Sequence, residues 1–307
     1  GIQHGFLTGE LECRGRDFTV EVTLNAGQRR ILMRNGVKLQ SAAELGETLN
    51  TVLFCPEDLF LIRAGAVERR RFLDDTIAQL RPKYAEELER YQKIWKSKSF
   101  ILNHQEERPD LLATLDDFSH QLCQAGAVIT HYRAHFIKRL AKTAPAIHRE
   151  FSGGREALSL AYEPDTAISD PLAPTKVLFA QLLEHQECRR EAELAARKCL
   201  IGPHRDELRV DIDGRSARQY ASQGQTRTAA LSLKLAQRDI IFDDREEYPV
   251  LLLDDVLSEL DPRRQEFVLN HIQGGQVFIT CCEEERLAAL QEGKVFRVKN
   301  GTIEEER

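Results

Sequence analysis

The 307-residue chain is 42% hydrophobic and 30% charged, with a formal net charge of −6 at pH 7. That length buries a sizeable core split between two lobes. The acidic balance excludes wholesale coating of nucleic acid while leaving room for local basic faces. No apolar run reaches the roughly 18–20 residues that span a bilayer, and no signal peptide opens the chain. The 7 cysteines (13, 55, 123, 188, 199, 281 and 282) show no Cys-x-x-Cys or Cys/His ligand spacing. They read as reduced thiols of a cytoplasmic protein, with the adjacent pair Cys281-Cys282 left without a role.

The chain starts at Gly1, has its single Met at position 33 and enters directly into strand-like sequence, so it reads as lacking its natural N-terminus. Residues 5–39 predict a β-meander: short alternating runs are separated by Arg14-Gly15-Arg16, Asn25-Ala26-Gly27 and Asn35-Gly36, the last a strong two-residue hairpin signal. Thr51–Cys55 is a short apolar strand closed by Pro56. From about 66 the composition turns to Arg, Glu and Leu at helical spacing, with one helix opened by Glu68–Asp75 and a second by Pro82. In the second, Tyr84, Leu88, Tyr91, Trp95 and Leu102 keep a 4-3-4 rhythm that Lys98 interrupts. A third helix after Pro109 carries Leu111, Leu115, Phe118, Leu122, Ala125, Ile129, Tyr132 and Phe136, a period of about 3.5 residues that packs against a partner helix. Pro145 and Gly153-Gly154 are expected to end it. A strand (Ala157–Tyr162), a Pro-rich turn region (164–174) and a fourth helix (about 175–199) follow. After them come a hairpin turning at Asp213-Gly214, the polar loop Tyr220–Gln225, a helix, the strand Val250–Leu253 and a helix over Pro262–His271. A strand over Gln276–Thr280, a short helix, a strand over Lys294–Val298 and a solvated charged tail, Glu304–Arg307, complete the chain.

Two stretches carry candidate chemistry. Val250–Leu253 is an unbroken apolar run, the habit of a parallel strand covered on both faces, and it ends in Asp254 and Asp255. Open α/β sheets place ligands at that carboxyl end, where an Asp can hold Mg²⁺ against a nucleotide phosphate. The plainer alternative is a buried strand ending in an acidic turn. Ser222-Gln223-Gly224-Gln225 precedes a helix, whose start is an anion site in general, although from these residues alone Ser222 or Thr226 as an ordinary N-cap is the stronger reading.

Order and spacing then add to the residues. Phe54–Leu59, Glu68–Asp74, Gly202–Asp206, Ser222–Arg227, Leu251–Asp261 and Phe278–Thr280 resemble, in family order over nearly the whole chain, the ABC-type ATPase heads of the chromosome-maintenance class. Within that class they are most similar to the RecF family of bacterial recombination mediators. The resemblance implies an α/β ABC-type ATPase head, with a parallel-core sheet plus an antiparallel β-meander. The head would comprise 1–65 and 200–307, with an inserted α-helical arm at 66–199. It implies Asp254 as the Walker-B acid on Mg²⁺, and Asp255 as the acid that orients the attacking water. Ser222, Gln223, Gly224 and Gln225 would be the signature that closes on ATP held by a second subunit, with Ser258 to Asp261 as the D-loop at the same seam. Thr280 stands at the switch position where many such ATPases carry His, which puts a His-type γ-phosphate sensor in doubt.

The family also implies partners: single-stranded, gapped or duplex DNA, an ATP-dependent homodimer, RecR and RecO, with roles in recombinase loading and SOS induction, and no membrane. Candidate DNA contacts are Arg69, Arg70, Arg71 and Arg205, with Lys93/Lys96/Lys98 and Arg133/Lys138/Arg139/Lys142, although most charge runs of this kind are solvated faces or i,i+4 pairs, the stronger reading of each from the residues alone. His204 is either near the nucleotide seam or a packed loop histidine. One departure matters: no Gly-x-x-x-x-Gly-Lys-Ser/Thr P-loop occurs in the 307 residues. In the family it precedes the meander, so truncation is the expectation, and ATP binding by this chain alone is expected to be poor. Competing readings are a non-catalytic head-plus-arm dimerisation fragment and another ABC-type or SMC-like ATPase, the latter disfavoured by the short arm.

Overall fold

The computed structural model describes residues 4–165, 168–282 and 293–306. β1 (His4–Cys13), β2 (Arg16–Asn25), β3 (Ile31–Arg34) and β4 (Val37–Lys38) form the expected antiparallel meander in sequence order. Two of its turns are set by residues that accept positive φ: Arg14 (52°) with Gly15 (70°), and Asn35 (50°) with Gly36 (75°). Two consecutive left-handed residues match the twist of the flanking strands, which is why these pairs make two-residue hairpins. β5 (Thr51–Phe54) then enters the core.

α1 (Ala66–Leu80) and α2 (Pro82–Asn103) follow, with Pro82 in the first turn of α2. A 3-10 turn (Pro109–Thr114) leads into α3 (Leu115–Phe151), the longest helix described. Pro145 lies inside α3 and does not end it. Proline removes a single backbone donor, and the buried Ala144, Ile147 and Phe151 hold the last turns in the core. Gly153 (φ 62°) and Gly154 (φ 74°) supply the stop. β6 (Leu158–Glu163) and α4 (Thr175–Ala196) come next, the latter capped by left-handed Arg197. β7 (Glu207–Ile212) and β8 (Arg215–Ser216) add to β6 as an antiparallel sheet against α3. A short α5 (Ala217–Tyr220) precedes α6 (Gln223–Arg245).

β9 (Val250–Asp254) pairs in parallel with β5 on one side and with β10 (Val277–Thr280) on the other. α7 (Pro262–His271) connects β9 to β10. The parallel pairing is as expected, but the described residues cover one face only. Val52, Phe54, Leu251 and Leu253 are buried with α6, whereas Leu53 and Phe278 on the opposite face are 48% and 52% exposed. Period-2 geometry puts these alternate residues on opposite faces. The continuous apolar run therefore lines a buried face and an open one.

β11 (Val295–Lys299) and β12 (Thr302–Glu306) form a hairpin turned by Asn300 (φ 51°) and Gly301 (φ 78°). The tail read as solvated charge is thus strand as far as Glu306, because Asn-Gly turns it back onto β11. The expected short helix after Thr280 lies almost wholly at 283–292, outside the described residues.

α3 is the hub of the molecule: α2, α4, α6 and β6 all pack against it. Its heptad seam therefore finds partners within the chain. One hydrophobic cluster runs from β5 through α1 and α3 to α6 and β9. The break in the rhythm of α2 has a physical cause. Lys98 is fully buried and its Nζ lies 2.6 Å from Glu193 Oε2 on α4, while donating to Gln186 Oε1 at 2.8 Å. A buried ammonium demands such a partner set.

Candidate functional site at the carboxyl end of the parallel sheet

Asp254 is the last residue of β9, and the parallel register places Thr280 of β10 directly beside it. Thr280 Oγ1 donates to Asp254 Oδ1 at 2.7 Å. The Asp255 backbone N–H in turn donates to Thr280 Oγ1 at 2.9 Å and approaches the Thr280 carbonyl at 3.2 Å. Asp255 adopts a left-handed backbone, φ 50°, which aspartate tolerates better than most side chains. The chain is thereby turned sharply after the strand into a 3-10 turn, Val256–Glu259. Ser258 Oγ closes this turn onto the Asp255 carbonyl at 2.6 Å.

Asp254 is exposed, while Asp255 Oδ1 is buried without a hydrogen-bond partner among the described residues. An orphaned carboxylate oxygen at a strand end is unusual and fits a group that finds its partner in a ligand or water. No cluster of three or more His, Cys, Asp or Glu able to hold a metal occurs among the described residues. Two carboxylates suit Mg²⁺, which takes one or two protein oxygens and completes its octahedron with phosphate and water.

The second cluster is built on the start of α6. Ser222 caps the helix, its Oγ accepting from Gln225 N at 3.2 Å, while Gln225 Oε1 accepts from Ser222 N at 2.8 Å. The N-cap alternative is therefore what the Ser222 side chain does here. Gln223 and Gly224 occupy the first turn, where backbone N–H groups have no partner within the helix and the dipole favours anions. Asp261 caps α7 by accepting from Arg264 N at 3.0 Å.

Arg264 ties the two caps together. Its guanidinium contacts the second Asp261 oxygen and donates to Thr228 Oγ1 at 3.1 Å and to the Gly224 carbonyl at 3.2 Å. Burial pushes the Asp261 carboxyl up, but the hydrogen bonds and charge of Arg264 hold it below the usual aspartate value. A Cβ at Gly224 would lie 3.1 Å from Arg264 Nη2, so this contact also favours glycine there. Sequence reading missed Arg264. Its signal was an Asp N-cap followed three residues later by Arg, just after the Ser258–Asp261 segment.

This bridge is testable by a double-mutant cycle. Arg264→Ala and Asp261→Ala should each speed amide exchange in the first turn of α6 by about tenfold, the two together no more than either alone. Additive effects would show that Arg264 does not join these segments.

The basic candidates divide by burial. Arg69 is 3% exposed; its guanidinium pairs with Glu207 at 2.6 Å and donates to the Leu61, Ile62 and Ala64 carbonyls. It is a structural cation, which corrects its reading as a DNA contact. The same correction applies to Lys98 and to Arg133, which is 3% exposed between Asp74 and Asp206. Arg70 is half-buried and donates to the Asp206 carbonyl at 2.7 Å. Arg71 is exposed in i,i+3 and i,i+4 pairs with Glu68 and Asp75, at 3.9 and 3.6 Å. Arg139 pairs with Asp244 at 2.6 Å. Arg205, Lys93, Lys96, Lys138 and Lys142 are exposed. His204 is packed, with Nδ1 2.6 Å from the Tyr91 hydroxyl, and burial lowers its pKa.

No protein-family model matches the chain. A protein named DNA replication and repair protein RecF from Acetivibrio thermocellus is 36% identical over 266 residues, covering 87% of this chain and 72% of that protein. One of the same name from Bacillus mycoides is 36% identical over 305 residues, covering 98% of this chain and 81% of that protein. A solved structure of the recombination mediator protein RecF-ATPrS in the RecFOR pathway superposes with a TM-score of 0.89 at 28% identity, covering 99% of this chain and 81% of that one. A solved SmcHead bound to the C-winged helix domain of ScpA shares the fold, with a TM-score of 0.51 at 12% identity over 99% of this chain and 74% of that one.

Proposed function

Because the chain belongs to the RecF family of DNA replication and repair proteins, we propose that it is an ATP-dependent DNA-binding protein of recombinational repair. In this reading ATP closes two copies face to face and hydrolysis releases them. DNA is held meanwhile as single-stranded, gapped or duplex substrate for recombinase loading with RecR and RecO, with SOS induction following. We assign residues 1–65 and 200–307 to the ATPase head and 66–199 to the arm. The observation that carries the reading is the Thr280 clasp, which holds the Asp254 carboxylate and the Asp255 backbone N–H at the carboxyl end of a parallel strand.

Asp254 would hold Mg²⁺ through its exposed carboxylate. Mg²⁺ when bound would neutralise charge on the phosphates. Asp255 would accept a hydrogen bond from the attacking water with the oxygen that has no partner among the described residues. Ser222, Gln223, Gly224 and Gln225 would present the α6 N-terminus to the phosphates bound by the other copy. Ser258 and Asp261 would line that seam, with Arg264 holding both segments in one orientation. Thr280 cannot exchange a proton as His does, so its role is to fix Asp254. With no P-loop motif in the 307 residues, the chain by itself should bind ATP weakly. Calorimetric titration showing submicromolar affinity would contradict this.

For DNA we propose phosphate contacts from Arg205, and from the exposed face of α3 that carries Lys138, Lys142 and Arg149. Such contacts release counterions and weaken with salt. Fluorescence anisotropy on gapped DNA across a salt series tests this. Lys138→Ala with Lys142→Ala should weaken binding on every sequence and lower the log–log salt slope by about two, one for each phosphate contact. An unchanged slope removes this face from the interface.

A further inference from the structure

None of the seven cysteines forms a disulfide. Cys13, Cys123 and Cys199 are buried, and burial pushes Cys123 up to about 12. Burial and the neighbouring Asp58 push Cys55 up to about 11. Thiols in such settings are poor nucleophiles, because the thiolate is the reactive form. Cys188 and Cys282 are exposed and Cys281 is half-buried. Cys188 stands alone, whereas Cys281 and Cys282 are adjacent and follow directly on Thr280, with the chain bending at Cys282.

Position gives this pair its consequence. Thr280 is one residue upstream, and its hydroxyl and carbonyl hold Asp254 and the Asp255 backbone. Two Cα atoms joined by a trans peptide are about 3.8 Å apart, whereas disulfides usually span about 4.4–6.8 Å. A bond between neighbouring cysteines must therefore distort the peptide that joins them. Strained and exposed disulfides of this kind are the readily reduced ones.

We propose that Cys281 and Cys282 form a peroxide-sensitive vicinal dithiol, which closes to a reducible disulfide and loosens the Thr280 clasp on Asp254 and Asp255. The Cys282 thiolate attacks one oxygen of hydrogen peroxide. An S–O bond forms, the O–O bond breaks, and the departing hydroxide takes up a proton to leave as water. The Cys281 sulfur then attacks the sulfenic sulfur. The S–S bond forms, the S–O bond breaks, and the second water leaves with the Cys281 proton. Two thiols lose two electrons and one peroxide is reduced to two waters. The effect on catalysis rests on the function proposed above, whereas formation of the disulfide does not.

The test is peroxide treatment of the full chain, alkylation of the remaining thiols and mass analysis of its peptides. The peptide holding Cys281 and Cys282 should lose two hydrogens and regain them with dithiothreitol, at peroxide doses that leave Cys188 open to alkylation. Cys281→Ser should stop the reaction at a Cys282 sulfenic acid that dimedone traps, and Cys188→Ser should change nothing. If Cys188 oxidises first, or the paired peptide only gains oxygen, the proposal is wrong. Hydrogen exchange separates the two parts of the idea: the Asp255 amide should exchange about tenfold faster in the oxidised chain. Unchanged exchange beside a formed disulfide would overturn the link to the clasp while leaving the ATPase reading intact.

Discussion

Asp255→Asn is expected to lower steady-state ATP hydrolysis by about 10²–10⁴-fold, the usual contribution of a positioned acid or base, while ATP-driven dimerisation survives. The measurement is made on a polypeptide that carries a P-loop together with these residues, since no such motif occurs in the 307 residues. Asparagine preserves the size of the side chain, and the Asp255 backbone bonds to Thr280 do not involve the carboxylate. The substitution removes one negative charge and one acceptor oxygen from a position where Oδ1 has no partner among the described residues. Phosphoryl transfer to water depends on positioning and charge. The loss should therefore appear in kcat with little change in KM, and the dimer should persist longer on ATP. Hydrolysis at the original rate would sink the role given to Asp255. Loss of dimerisation along with hydrolysis would point instead to a structural failure of the β9 end.

Arg133→Ala is expected to destabilise the fold by about 3–5 kcal/mol, the range for stranding a buried charge by removing its partner. Arg133 of α3 pairs with Asp74 of α1 at 2.9 Å and with Asp206 at 3.0 Å, and donates to the Pro203 carbonyl at 2.7 Å. Tyr84 and Tyr162 complete the network, each through its hydroxyl, to Asp74 and Asp206 respectively. Asp206 is itself 1% exposed, and burial already raises its pKa against the pull of Arg133. Removing Arg133 raises it further. The folded state then binds more protons than the unfolded one, so stability falls as pH rises from the unfolded carboxyl value upward. The deficit of the variant should accordingly be largest at neutral pH and shrink toward pH 5, read from urea midpoints. Arg71→Ala, on the exposed face of α1, should stay within about 0.5 kcal/mol of the parent. A cost below about 1 kcal/mol for Arg133→Ala would mean that the network relaxes or admits water.

Both residues came from charge-bearing stretches of helix, and the contrast shows what local pattern can reveal. Arg69, Arg70 and Arg71 are consecutive, yet the first is buried on Glu207, the second half-buried on a backbone carbonyl, and the third solvated. Successive helix positions are about 100° apart, so a basic run always faces several environments. Which cation is buried depends on where β7 and the Pro203–Arg205 turn come to rest. Lys98 was more legible, because it breaks an apolar rhythm, but its partner Glu193 lies on another helix far along the chain.

Short-range chemistry was read well. Arg14-Gly15, Asn35-Gly36 and Asp213-Gly214 all turn through positive φ, since few residue pairs accept that backbone. Pro82 starts α2 and Gly153-Gly154 stop α3. Asn300-Gly301 was as strong a signal and was passed over beside the acidic tail.

By itself the sequence determined the meander, the helical stretch, the parallel strand ending in Asp254-Asp255 and the family, because turn residues, hydrophobic period and motif order are properties of neighbours along the chain. Tertiary structure alone decided that Thr280 clasps both acids, that Arg264 joins the Ser222 and Asp261 caps, that Arg69, Lys98 and Arg133 are structural, and that one face of the parallel sheet is open. Those facts depend on groups remote in sequence meeting in three dimensions, where desolvation makes a partner obligatory for a buried charge and optional for an exposed one.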